Sequence, residues 1–109
     1  MPSKDIEKRR AAIRKHYYAN REMYIKKALK RKKQIRDWLR EYKESLPCVD
    51  CKTYFPYYVM DFDHLSDKLI EINKLINSCS MTKIRAEIAK CELVCSNCHR
   101  IRTYNRLLA

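Results

Sequence analysis

Residues 91–104 read CELVCSNCHRIRTY, and the fold turns on how this stretch is understood. Cys95 and Cys98 form a C-x-x-C pair, a spacing that lets one tight turn present two thiolates to one metal ion. His99 follows the second cysteine without a spacer. It is a substitute ligand, a helix-surface residue, or part of a second site built on the first.

Working outward, a matching pair, Cys48 and Cys51, lies 43 intervening residues upstream. Four thiolates at about 2.3 Å make a closed tetrahedral zinc site. Such an ion would tie the start of a small domain to its last helix. Cys79 and Cys91 are left over and read as small, partly buried thiols. A disulfide framework is disfavoured. The opening MPSKDIEKRR is charged throughout and has no apolar leader core, so the chain reads as intracellular and reduced. No apolar run approaches the roughly 20 residues of a membrane span.

The 109 residues include no glycine, 35% are charged, and the formal net charge is +12. A chain this short and polar buries little core, so a staple is expected. The charge is unevenly placed. Residues 1–46 carry 16 Lys/Arg against 6 Asp/Glu (+10), whereas residues 47–109 carry 9 against 7 (+2). This divides the chain into a basic arm, 1–46, and a near-neutral domain, 47–109. Nucleic acid is the commonest partner of such an arm, and an acidic membrane surface comes second.

The arm reads as two helices. Ile6, Ile13 and Tyr17 share one face of the first, from Asp5 to Tyr18. Asn20 is placed to N-cap the second, from Arg21 to about Ser45. The stripe Tyr24, Ala28, Ile35, Trp38, Leu39, Tyr42 and Leu46 gives that helix a docking face, with Trp38 and Tyr42 set against the following domain. Its centre is basic on nearly every side. Lys26, Lys27, Lys30, Arg31, Lys32 and Lys33 are therefore the expected phosphate contacts.

Beyond Pro47 the pattern changes. Tyr57 to Phe62 has strand composition and delivers Asp63 and His64 at its end. Leu69 to Ile76 predicts a short helix, and Ser80 caps another from Met81 to Ala89. Glu92 to Val94 is a short strand. A last helix starts near Asn97, with Ile101, Tyr104, Leu107 and Leu108 packing inward and Arg100, Arg102 and Arg106 facing out. Arg100 and Arg102 are further phosphate candidates. Zinc that draws the final helix against the strands would let Asp63 meet His99. A carboxylate and an imidazole leave open positions for water and phosphate oxygens, as a catalytic metal needs.

This order — C-x-x-C, a strand ending in Asp-His, then C-x-x-C-His with a basic helix behind it — resembles the HNH endonucleases of phages and bacteria over about Pro47 to Arg106. The resemblance implies an α+β, mostly helical fold with a ββα-metal (His-Me finger) core, stapled by a four-cysteine zinc site. It implies a metal-dependent endonuclease acting on double-stranded DNA in the cytoplasm of a bacterial or phage-infected cell. His64 matches the general base, Asp63 and His99 the ligands of a catalytic Mg²⁺ or Mn²⁺, and Cys48, Cys51, Cys95 and Cys98 the zinc ligands.

One departure stands out. The family usually has an asparagine a few residues before the second cysteine pair, bracing the loop that carries the base. Here that neighbourhood is Lys90, Cys91 and Glu92; Asn73 and Asn77 come early and Asn97 sits inside the pair. Either the brace is supplied differently or the site is weakened. The competing reading is a noncatalytic, zinc-stabilised DNA-binding module.

Overall fold

The computed structural model describes residues 2–66 and 68–109. The chain is mostly helical, with one two-stranded sheet. It divides into two compact units, residues 1–31 and residues 32–109.

The first unit holds α1 (Pro2–Ala19) and the opening of α2 (Arg21–Ser45). Asn20 separates the helices, but it does not act as the expected N-cap. Its side-chain amide donates to the His16 carbonyl at 2.9 Å, while its own carbonyl accepts from Tyr24 N–H at 3.1 Å. The residue thus satisfies the orphan carbonyls ending α1 and lets the next turn begin at once. Tyr17 stacks on Tyr24 with ring centroids 5.6 Å apart. Ile6 and Ile13 stay exposed.

The second unit is built on β1 (Met60–His64) and β2 (Cys91–Cys95), antiparallel, with Met60 opposite Cys95 and His64 opposite Cys91. The strand expected from Tyr57 starts three residues later. Pro56 fixes a turn in which Val59 N–H reaches the Pro56 carbonyl at 3.0 Å, so Tyr57–Val59 forms a 3₁₀ turn instead. Alternation then sets Met60, Phe62 and His64 on one sheet face and Asp61 and Asp63 on the other.

The Met60–Phe62 face is covered by the rest of α2 and by two short helices, α3 (Ile72–Leu75) and α4 (Met81–Ile88). Ile35 and Leu39 of α2 are buried with Ile72, Leu75, Ile76 and Ile84. Trp38 stacks on Tyr42 at 5.3 Å and Tyr42 on Phe62 at 6.0 Å, so the docking residues expected on α2 carry a row of rings onto the sheet. Leu46, expected in the same stripe, is exposed. Ser80 caps α4 by accepting from Lys83 N–H at 3.3 Å. The helix expected from Leu69 begins only at Ile72. Leu69 N–H is drawn to the Glu87 carboxylate at 3.2 Å, and Glu71 is still extended.

The last helix, α5 (Ser96–Leu108), lies on the Asp61–Asp63 face, with its orientation opposite to expectation. His99, Arg102 and Arg106 turn to the strands, while Ile101, Tyr104, Leu107 and Leu108 are exposed. The cysteines dictate this. Cys95 and Cys98 must point at their partners in the turn that precedes β1, and residues 99, 102 and 106 share one helix face by i+3/i+4 spacing. No helix of the described residues is long and apolar enough to cross a membrane.

Candidate metal centre and its polar neighbours

The sulfurs of Cys48, Cys51, Cys95 and Cys98 all lie within 4.8 Å of one another, with Cys51 and Cys95 Sγ 4.0 Å apart. Ligands at about 2.3 Å in a tetrahedron stand about 3.8 Å apart, so these thiols fit one ion such as zinc. The turns fit too. Cys51 N–H points at Cys48 Sγ (3.5 Å) and Cys98 N–H at Cys95 Sγ (3.4 Å). Each bond favours a sulfur bearing negative charge. Lys52 closes the first turn at φ 59°, its N–H bonded to the Cys48 carbonyl at 2.9 Å. A glycine-free chain puts a lysine in this left-handed position. At the second turn Cys95 is also the N-cap of α5, so a sulfur placed to hold metal also starts the helix. Cys48, Cys95 and Cys98 are buried with Met60, Leu93 and Val94, and this cluster forms a second core.

Beside it, α5 and β1 bring His99 to two carboxylates. Its Nδ1 lies 3.1 Å from Asp61 Oδ2 and its Nε2 lies 3.5 Å from Asp63 Oδ1. The two carboxylates differ sharply. Asp63 is buried and held in a fork: Arg106 donates to both its oxygens at 2.9 and 2.7 Å, and Arg102 adds 2.8 Å. Bonding from Arg106 first, and from Arg102, pulls its pKa down to about 2 against the cost of burial. Asp61 is half-exposed and has no arginine partner among the described residues. The site expected from the sequence omits it. The signal is there all the same, since residues two apart on a strand share a face.

The low pKa of Asp63 gives a prediction. A carboxyl depressed in the folded state contributes stability above its unfolded value of about 3.9, and that stability is lost as pH falls toward 2. Urea midpoints should therefore drop more steeply between about pH 5 and 2 in the wild type than in Asp63→Asn. The cysteine cluster is the same in both proteins, so the difference isolates Asp63; parallel pH slopes would contradict the fork's role.

Arg102 also donates to Asp50 at 2.7 and 2.6 Å and to Glu92 at 3.1 Å, so this expected phosphate contact is committed to three carboxylates. Arg100 is exposed, as are Lys26, Lys27, Lys30, Arg31 and Lys33; Lys32 is half-buried.

His64 leaves β1 on the opposite face from Asp63. Its Nε2 sits 3.2 Å from Glu87 Oε1 without hydrogen-bond alignment and is a buried, unbonded polar atom. Glu87, itself buried, accepts from Leu69 N–H at 3.2 Å and from Lys90 Nζ at 3.2 Å. Burial opposes its ionisation, yet those donors outweigh it and hold its pKa below the ordinary glutamate value. An ionised Glu87 favours the proton on Nε2 of His64, which leaves Nδ1 as the acceptor. A cavity of about 320 Å³ at the free edge of β1 is lined by His64, His99, Asp61, Lys43 and Asn73. His64 and Asp61, which leave β1 on opposite faces, therefore border one space, together with His99.

Nothing in the local sequence around Glu87 links it to His64. Removing it takes away both the carboxylate beside the buried His64 Nε2 and the acceptor of Leu69 N–H. Glu87→Ala should cost about 3 kcal/mol in denaturant unfolding, and Glu87→Gln, which still accepts from Leu69, should cost less. Equal, small losses would contradict the bracing role. Cys91 Sγ donates to the Glu87 carbonyl at 3.4 Å, and burial pushes its pKa up to about 11, so it stays a neutral thiol.

No protein-family model, curated protein or solved structure matches this chain.

Proposed function

We propose that the chain is a metal-dependent DNA endonuclease of the HNH kind, with a ββα-metal core stapled by zinc at Cys48, Cys51, Cys95 and Cys98. The observation that carries this reading is the cavity at the edge of β1. It is bordered at once by an imidazole backed by a buried carboxylate (His64–Glu87) and by an imidazole set against two carboxylates (His99 with Asp61 and Asp63). The general base and the metal-binding imidazole are thus separate groups facing one space, while Asp63 is not part of its lining.

His64 takes a proton from water through Nδ1, and Glu87 stabilises the imidazolium that results. His99, through Nε2, and Asp63 would hold Mg²⁺ or Mn²⁺, with Asp61 at Nδ1 orienting the imidazole. Such an ion would supply positive charge to the phosphoryl and departing 3′ oxygens. Glu87 fills the bracing place that the family gives to an asparagine, since it ties the loop after β1 at Leu69 to the back of His64. The basic residues Lys26 to Lys33 supply affinity for double-stranded DNA through its phosphates.

One observation favours a second reading, the noncatalytic zinc-stabilised DNA-binding module. Asp63 already has both oxygens bonded to arginines, and a ligand so engaged must exchange one of them for metal. The test is incubation with labelled duplex DNA and Mg²⁺ or Mn²⁺. Fragments ending in 5′ phosphate and 3′ hydroxyl support the nuclease. DNA bound but intact in both ions selects the module.

A further inference from the structure

The described residues hold a second, larger cavity that neither the cysteine cluster nor the His64–His99 space accounts for. It measures about 490 Å³ and is lined along one side by Arg36, Arg40 and Lys43. These fall at i, i+4 and i+7 and so form a single stripe on α2. Tyr57 and Tyr58 of the 3₁₀ turn and Asp61 also line it. Its volume lies in the ordinary range for small-molecule sites, about 300–1,000 Å³. Three cations face one carboxylate, so the cavity favours an anion.

The aromatic side makes the anion more specific. Tyr58 is 74% exposed, set edge-on to Tyr57 with centroids 5.5 Å apart, and buries little of its ring in the protein. The Arg40 guanidinium lies 4.6 Å from the Tyr57 ring centroid, which fixes both groups at the mouth. Asn73 and Asn77, one helical turn apart, add amides able to hydrogen-bond a base edge. Bare phosphate needs no aromatic face, and a duplex keeps its bases stacked away from a concave pocket. An unpaired nucleotide uses all three features: phosphate on the cations, base against Tyr58, base edge on the amides. The cavity also adjoins the first, since Lys43, Asp61, Phe62 and Asn73 line both.

We infer that this cavity binds an unpaired nucleotide of a single-stranded segment, placing the neighbouring phosphate in the space between His64 and His99. The inference rests on the nuclease reading for its biological use, but not for its test. A duplex that offers an unpaired nucleotide, as a gap, a flap or a melted stretch of supercoiled plasmid does, is then the substrate class.

The experiment is fluorescence anisotropy with zinc-loaded full-length protein and no added Mg²⁺ or Mn²⁺. The probes are a labelled single-stranded DNA decamer, its RNA counterpart and a DNA duplex of equal length. Tyr58→Ala should weaken single-strand binding about tenfold while duplex binding changes less than twofold, and Tyr58→Trp should restore it. Arg40→Gln should weaken the single strand as well. The DNA and RNA arms show which sugar the cavity accepts, and a Tyr58-dependent preference for either strand supports the inference. Equal loss on single strand and duplex, or no loss on either, overturns it. Tyr58-dependent binding here, with no cleavage once Mg²⁺ or Mn²⁺ is added to the same probes and to plasmid, would sink the nuclease reading and leave this site standing; cleavage in those ions with Tyr58-independent binding would do the reverse.

Discussion

His64→Ala should reduce DNA cleavage by about 10²–10⁴-fold, the span a positioned general base contributes. The loss should appear in turnover at saturating DNA, with affinity within about twofold, because the proposed phosphate contacts lie on other residues. His64 is mostly buried against Glu87, so its removal also carries a stability risk. Glu87 keeps Leu69 N–H and Lys90 as partners, which limits that cost. His64→Asn, nearer in shape and polar, serves as the second variant. Both variants should melt cooperatively and bind DNA like wild type, and both should fail to cut. Normal cutting by either folded variant would remove His64 from the chemistry. Losing only affinity would assign it to binding.

The second large effect concerns the cysteine cluster. The protein should carry one zinc per chain in native mass spectrometry, and stripping it should abolish the cooperative unfolding of residues 32–109. Structural zinc in small domains contributes on the order of 10 kcal/mol, more than a core this size supplies alone. The expectation follows from position: Cys48, Cys95 and Cys98 lie inside the second core, and Cys95 also caps α5. Without the ion, four thiols crowd together with no gain, and His99, Arg102 and Arg106 lose the helix that aims them. Cys98→Ser should therefore lose zinc, the melt and cleavage together. A chelated protein with an unchanged melting curve would contradict the staple.

The cysteine spacing makes most of the second unit legible from the amino-acid order alone. It ties the turn before β1 to the start of α5, and composition marks the strand and helix that follow each pair. The buried face of α5 is harder to read, because that helix carries two stripes. Ile101, Tyr104 and Leu108 form an apolar one, while His99, Arg102 and Arg106 form a polar one. Hydrophobicity alone chooses the first. The cysteine cluster chooses the second, since Cys95 and Cys98 fix the helix rotation and residues 99, 102 and 106 follow from it. The same positional logic, applied to β1, puts Asp61 beside Asp63.

Other features have no local signal. Glu87 meets His64 only after the chain has made two short helices, and its acceptor role for Leu69 N–H shortens α3 in a way no propensity encodes. The 3₁₀ turn at Tyr57–Val59 comes from Pro56 overriding a strand-like composition. At Asn20 a residue type that suits both a cap and a helix end takes the helix end.

The central claim is that one cavity joins a general base to a metal-binding imidazole. Its most direct test is supercoiled plasmid incubated with zinc-loaded wild type, His64→Ala and His99→Ala, in Mg²⁺ and in Mn²⁺. The account predicts open-circular or linear DNA from wild type in at least one ion, with both variants inactive though folded and DNA-bound. Plasmid that stays supercoiled with wild type in both ions, while binding is retained, would contradict it and leave a zinc-stapled binding module.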